Sequence, residues 1–163
     1  MARFGDVNLD VLKKIEKLGA NADKIAEEMT KAAAEATAKS VQANAPSELK
    51  SHVKVSRSYK TPSDGGVNTK VYISGYLPFN SGRSSFSRRG KAGGKVYTTS
   101  RGIPAAFLAQ VTEYGTSQRY TEAGAYRGYI TKRPFFRKSF NNSVIEAEML
   151  KVQEAEFRRL GLK

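Results

Sequence analysis

The chain has no cysteine, no tryptophan and a single histidine, His52, among its 163 residues. Without thiols there is neither a disulfide nor a thiolate metal site, and a reducing or redox-indifferent setting is favoured. With one imidazole, a zinc ion would have to draw most of its ligands from carboxylates, so no metal or cofactor is expected. No apolar run approaches the roughly 20 residues that cross a bilayer. The opening "MARFGDVNLD" carries no apolar segment of the secretory kind. The middle of the chain, in turn, lacks acid. Residues 1–50 hold eight Lys/Arg and eight Asp/Glu, residues 141–163 hold four of each, and residues 51–140 hold 16 Lys/Arg against three Asp/Glu. The whole excess of 13 positive charges therefore sits in the central stretch. A field so concentrated attracts nucleic acid, an acidic protein surface or anionic lipid. No basic amphipathic helix supports the last of these, so no membrane partner is expected.

The length suits one domain, 1–163, with an ordinary core. Asn8 can cap a short helix with Leu9, Leu12, Ile15 and Leu18 on one face and Gly19 as its terminator. Asn21 can cap a longer, alanine-rich helix with Ile25, Met29, Ala32, Ala33, Ala36 and Val41 on its stripe, ended by Pro46. The period then falls to two. "SHVKVSRSY" and "VNTKVYIS", joined by the turn cluster "TPSDGG", read as an antiparallel hairpin that leaves His52 exposed on a strand. Residues 75–95 are rich in Gly, Ser and Arg without a period, and read as a flexible basic loop or arm. The spacing of Gly82 and Gly90-Lys91, with Ala92 following, does not make a P-loop. "KVYTT" is a third strand.

Pro104 opens a short helix whose Phe107, Val111 and Tyr114 share a face, and Gly115 lies just beyond its end. Residues 116–133 are a polar loop with Tyr120, Tyr126 and Tyr129. For the last helix, a start at Pro134 is preferred to one at Ser143, where Ser143 and Glu146 fit a capping box. The reason is that Phe136 and Phe140 extend the stripe of Val144, Ala147, Leu150, Phe157 and Leu160. The class is α+β: a long N-terminal helix and a C-terminal helix packed on a small antiparallel sheet, with a long basic loop.

Glu113, in "AQVTEYGTSQRY", is the residue that most invites a catalytic reading. A general acid or base wants a second titratable group placed near it; the neighbourhood offers Tyr114, Arg119 and Tyr120, and no other acid between Asp64 and Glu122. Gly115 instead permits a left-handed cap, Thr116 and Ser117 can bond nearby backbone, and Glu113 can pair with Arg119 or with an arginine of the 133–138 segment. No nucleophile–base pair, metal cluster or phosphate loop marks an enzyme.

"FLAQVTEYGTSQR", followed by "RPFFRKSF", resembles the paired signature of a tail-completion or neck protein family of long-tailed bacteriophages, similar to the minor tail component of lambdoid phages. Glu113, Tyr114, Gly115, Thr116, Arg133, Pro134 and Phe135 carry the likeness, which is strongest over residues 105–140. Asn44-Ala45-Pro46 and Leu49-Lys50-Ser51 extend it more loosely. The resemblance implies a structural virion protein at the neck, assembled in the host cytoplasm, which completes the tail and helps join it to the filled head. It implies rings of identical copies, sixfold before twelvefold. Head-closure or connector proteins and tail-terminator or tail-tube proteins are the implied neighbours, with packaged DNA within reach. The residues expected at partner or DNA contacts are Arg83, Phe86, Arg88, Arg89, Lys91, Lys95, Arg101, Tyr120, Tyr126 and Tyr129. The alternative is a basic nucleic-acid-binding module that uses the same central region.

Overall fold

The computed structural model describes residues 9–63, 65–79, 85–89, 96–120 and 123–162. Where two N-terminal helices were expected there is one, α1, from Leu9 to Asn44. A glycine inside a helix costs only about 1 kcal/mol relative to alanine, and the surrounding Ala, Lys, Glu and Leu residues absorb that. Gly19 is not among the glycines with positive φ. Asn21 is not a cap; its Nδ2 donates to the Lys17 carbonyl, one turn back, at 2.8 Å. A short helix, α2 (Ser47–Lys50), follows Pro46.

The strands that follow are β1 (Val53–Val55), β2 (Tyr59–Lys60), β3 (Val67–Asn68), β4 (Val71–Ile73), β5 (Tyr76–Leu77), β6 (Phe86–Arg89), β7 (Val96–Thr99) and β8 (Ile103–Pro104). Among the described residues they form two-stranded ladders: β1 with β4, β2 with β3, β5 with β8 and β6 with β7. The expected hairpin is present, with Tyr59 opposite Asn68 and Lys60 opposite Val67. His52 is not an exposed strand residue. It precedes β1, is half-buried, and its Nδ1 lies 2.9 Å from the Ser74 carbonyl oxygen. Part of the expected arm is ordered too. β6 pairs antiparallel with β7, Phe86 opposite Thr99 and Arg89 opposite Val96, and the Ser87 and Thr98 hydroxyls meet across the ladder at 2.9 Å. The rest of that stretch, residues 80–84 and 90–95, lies outside the described residues.

The chain divides into two compact units. The first comprises residues 1–39, 55–71 and 141–163. Within it, the β2–β3 hairpin is tied to α1: Thr69 Oγ1 donates to Thr30 Oγ1 at 3.1 Å and Lys60 Nζ meets Asp23 at 2.5 Å. The last helix, α4 (Asn142–Arg159), also belongs here. It starts later than preferred. Asn141 is the cap, its Oδ1 accepting from Ser143 N at 3.1 Å, and a 3-10 turn (Arg137–Ser139) precedes it. The backbone leaves the helical region at Phe140 (φ −82°, ψ 105°), so Phe136 and Phe140 are not on α4 at all. The expected stripe is also displaced. Val144, Ala147 and Leu150 are exposed, and the half-buried face is Ile145, Met149, Val152, Glu156, Phe157 and Leu160.

The second unit comprises residues 40–54 and 72–140. Val41, Leu49, Val53, Leu77, Ala109 and Phe135 lie in its core. β5 and β8 approach so closely that Gly102, at φ 127°, has the Leu77 carbonyl where a Cβ would stand. α3 runs from Ala105 to Tyr114, with Pro104 just outside as its N-cap. The Phe86 ring of β6 lies 4.9 Å from that of Phe107 on α3.

Candidate functional site

The second unit is organised around Glu113. Spacing puts this residue in the last turn of α3, on the same face as Ala105 and Ala109, so it is turned inward and is only 5 % exposed. A buried carboxylate needs donors. The 134–139 segment supplies them: Phe136 N donates to Oε2 at 2.9 Å, and Arg137 donates to Oε1 through N at 3.2 Å and Nε at 3.1 Å. Burial alone would push the carboxyl up. The N–H of Phe136, the Arg137 side chain and the N–H groups of Arg137 and Phe135 outweigh it, holding the pKa below the ordinary 4.5. The Arg137 guanidinium also sits 5.0 Å over the Tyr114 ring. This constellation fastens one helix end to a following segment. It offers no second acid or base and no open coordination position.

Gly115 completes the fastening. Its φ of 73° and ψ of −173° are positive-φ but extended, not the left-handed helical cap expected. A Cβ there would stand 2.7 Å from the Ile130 carbonyl oxygen and 2.9 Å from Lys132 N. Thr116 does not bond nearby backbone: its N–H donates to the Ile130 carbonyl at 3.0 Å and its Oγ1 accepts from Ile130 N at 2.9 Å. Arg133 N donates to the Thr112 carbonyl at 2.7 Å, which joins the motif's second half to α3.

The polar loop between these halves is a ribbon. Beyond the Thr116–Ile130 pair, Arg119 N donates to Gly128 O at 3.1 Å and Arg127 N to Arg119 O at 2.7 Å. Tyr120 and Tyr126 form an antiparallel bridge with ring centroids 5.5 Å apart. Both are exposed, as are Tyr129, Arg119 and Arg127. At the ribbon's foot an open cleft of about 480 Å³ is lined by Asn44, Arg133, Pro134, Phe135 and Lys138.

Of the motif residues, the structure therefore gathers Glu113, Gly115, Thr116, Arg133 and Phe135 into one fastening. Tyr114 faces outward under Arg137, and Pro134 lines the cleft. Among the expected contact residues, Tyr120, Tyr126 and Tyr129 share the ribbon, Arg101 is exposed near β8, and Phe86 lies on Phe107. Arg88 and Arg89 fall on β6, while Arg83, Lys91 and Lys95 lie outside the described residues. Sequence reasoning did not find Ser139, which is buried and donates to the Phe135 carbonyl at 2.6 Å while accepting from Asn44 Nδ2 at 2.9 Å. Two residues so far apart in the chain give no local signal of that contact.

Charge divides with the units. The first holds 14 Lys/Arg and 12 Asp/Glu, the second 14 Lys/Arg and three Asp/Glu. One of those three carboxylates, Glu113, is already used internally.

A search of curated proteins and a search of solved structures find no match. A family model does match: HK97-gp10-like, described as "Bacteriophage HK97-gp10, putative tail-component", over residues 10–79. These residues are α1, α2 and β1 to β5, the stretch in which the sequence resemblance was looser; the Glu113 fastening and the ribbon lie outside them. Over a little under half its length, then, the chain is similar to a family of phage tail components, and that likeness supports a phage tail-associated structural role in general.

Proposed function

We propose that the protein works at the phage neck, completing the tail and helping to join it to the DNA-filled head. The observation that carries this reading is the match of residues 10–79 to a tail-component family. Two further features support it. A head-to-tail ring needs two unlike patches on each subunit, and the two units of this chain differ sharply in charge, one nearly balanced and the other with an excess of 11 positive charges. The Glu113 fastening holds the base of an exposed tyrosine-bearing ribbon in a fixed geometry, and tyrosine and arginine are the side chains that anchor protein interfaces. In this reading copies of the chain form a ring, sixfold in preference to twelvefold. Head-closure or connector proteins lie on one side of it and tail-terminator or tail-tube proteins on the other.

The test is electron microscopy of particles made by a phage that lacks the gene. The expected result is filled heads beside separate or aberrant tails. Fully joined, infectious virions would refute the neck assignment while leaving a tail-associated role elsewhere.

A further inference from the structure

The exposed ribbon carries several cations, and among the described residues no carboxylate lies on it. Arg119 and Arg127 are neighbours across it, joined by the 2.7 Å bond from Arg127 N to Arg119 O, and both are exposed. Lys132, Arg133 and Lys138 follow at its foot, again exposed, and the last two line the open cleft with Asn44. Among the described residues the second unit has only two carboxylates, Glu48 and Glu113, and Glu113 is spent on Arg137 and the backbone. Like charges on one short ribbon repel, and an anion bound there relieves that repulsion. The Tyr120 and Tyr126 rings lie 5.5 Å apart, and the Tyr120 hydroxyl donates to Gln118 at 3.1 Å. Beside these rings Arg119 and Arg127 are exposed to solvent.

We infer that this ribbon and its foot are a contact for the sugar–phosphate backbone of duplex nucleic acid, made by Arg119, Arg127, Arg133 and Lys138. The contact is to phosphate and carries no sequence preference, because it is carried by the charge of exposed Arg and Lys side chains, and phosphate contacts position without reading sequence. It rests on the neck reading only for the source of the duplex, which there would be packaged DNA.

The test uses the full chain and a labelled duplex of about 30 base pairs, with affinity followed by fluorescence anisotropy from roughly 50 to 200 mM NaCl. Binding is expected for unrelated sequences alike, with the logarithm of affinity falling linearly against that of salt. Each phosphate contact contributes about 0.9 to the slope, so the double variant Arg119→Ser/Arg127→Ser should lower it by about 2, and Arg133→Ser/Lys138→Ser by a similar amount. A control with equal charge loss, Lys13→Ser/Lys14→Ser on α1, should leave the slope unchanged. Circular dichroism checks that each variant is folded. Equal slopes for the ribbon and control variants would overturn the inference, as would absence of binding at the lowest salt. Tighter ribbon-dependent binding to poly-L-glutamate than to DNA would also overturn it and make the partner an acidic protein. None of these outcomes bears on whether heads and tails join in the absence of the gene, so the two readings fail separately.

Discussion

At the scale of single residues, Glu113 and Gly115 hold the second unit's architecture. A hydrogen bond to a charged acceptor contributes about 1.5–3 kcal/mol, and removing the charge leaves the others imperfectly met. Glu113→Gln is therefore expected to cost about 1–3 kcal/mol, read as a shift in the denaturant midpoint at neutral pH. The carboxyl has a lower pKa folded than unfolded, so its contribution is complete above the ordinary value of 4.5 and is lost as pH falls through the lower folded value. Wild-type stability should thus decline below about pH 4.5 more steeply than that of Glu113→Gln, and parallel pH profiles would contradict the assignment. Gly115→Val adds a Cβ against the Ile130 carbonyl at a positive φ, and about 1–3 kcal/mol should be lost. Unchanged thermal unfolding in that variant would remove Gly115 from the fastening. The sequence allowed Glu113 to pair with an arginine of the 133–138 segment, and Arg137 is that partner. It did not disclose the extended ψ of Gly115, since that depends on Ile130 and Lys132 crossing over it.

At the scale of elements, what was legible followed from strong local signals. The "TPSDGG" turn has a local cause and appears where that cause put it, whereas the strand period begins only at Val53, after the unforeseen α2, and Pro104 caps α3 from just outside it. The misreadings came where two local signals competed. At Gly19 a terminator signal lost to the continuity of the flanking helix. Since a Cβ at Gly19 would meet nothing within 4 Å, Gly19→Ala should stabilise the protein by about 0.5–1 kcal/mol, measured by thermal melting. A helix that ended there would instead be destabilised. Near the C-terminus, Phe136 and Phe140 sit at helical spacing from Val144 but are held by the Glu113 fastening and the 3-10 turn, so their periodicity was coincidence. Asn141→Ala should cost about 1 kcal/mol through loss of the cap, whereas Ser143→Ala should cost much less; the reverse order would restore the capping box at Ser143.

At the scale of the whole molecule, charge is the dominant asymmetry. The central excess was plain in the sequence, but its gathering into one compact unit was not, because that unit is assembled from two separated stretches of chain. Fourteen cations against three acids within one unit repel one another, and salt screens exposed charges within roughly 10 Å at 0.1 M. Raising NaCl from low to physiological concentration should therefore raise the melting temperature, and a fall would mean that ion pairs, not repulsion, dominate. The ladders carry a different implication. With none wider than two strands among the described residues, every strand has one flank of peptide groups outside its own ladder. A sheet normally buries most of its strands in its interior and has only two such flanks to protect. Such flanks are open to water or to another strand, so hydrogen–deuterium exchange at their outward amides should be fast in the chain alone.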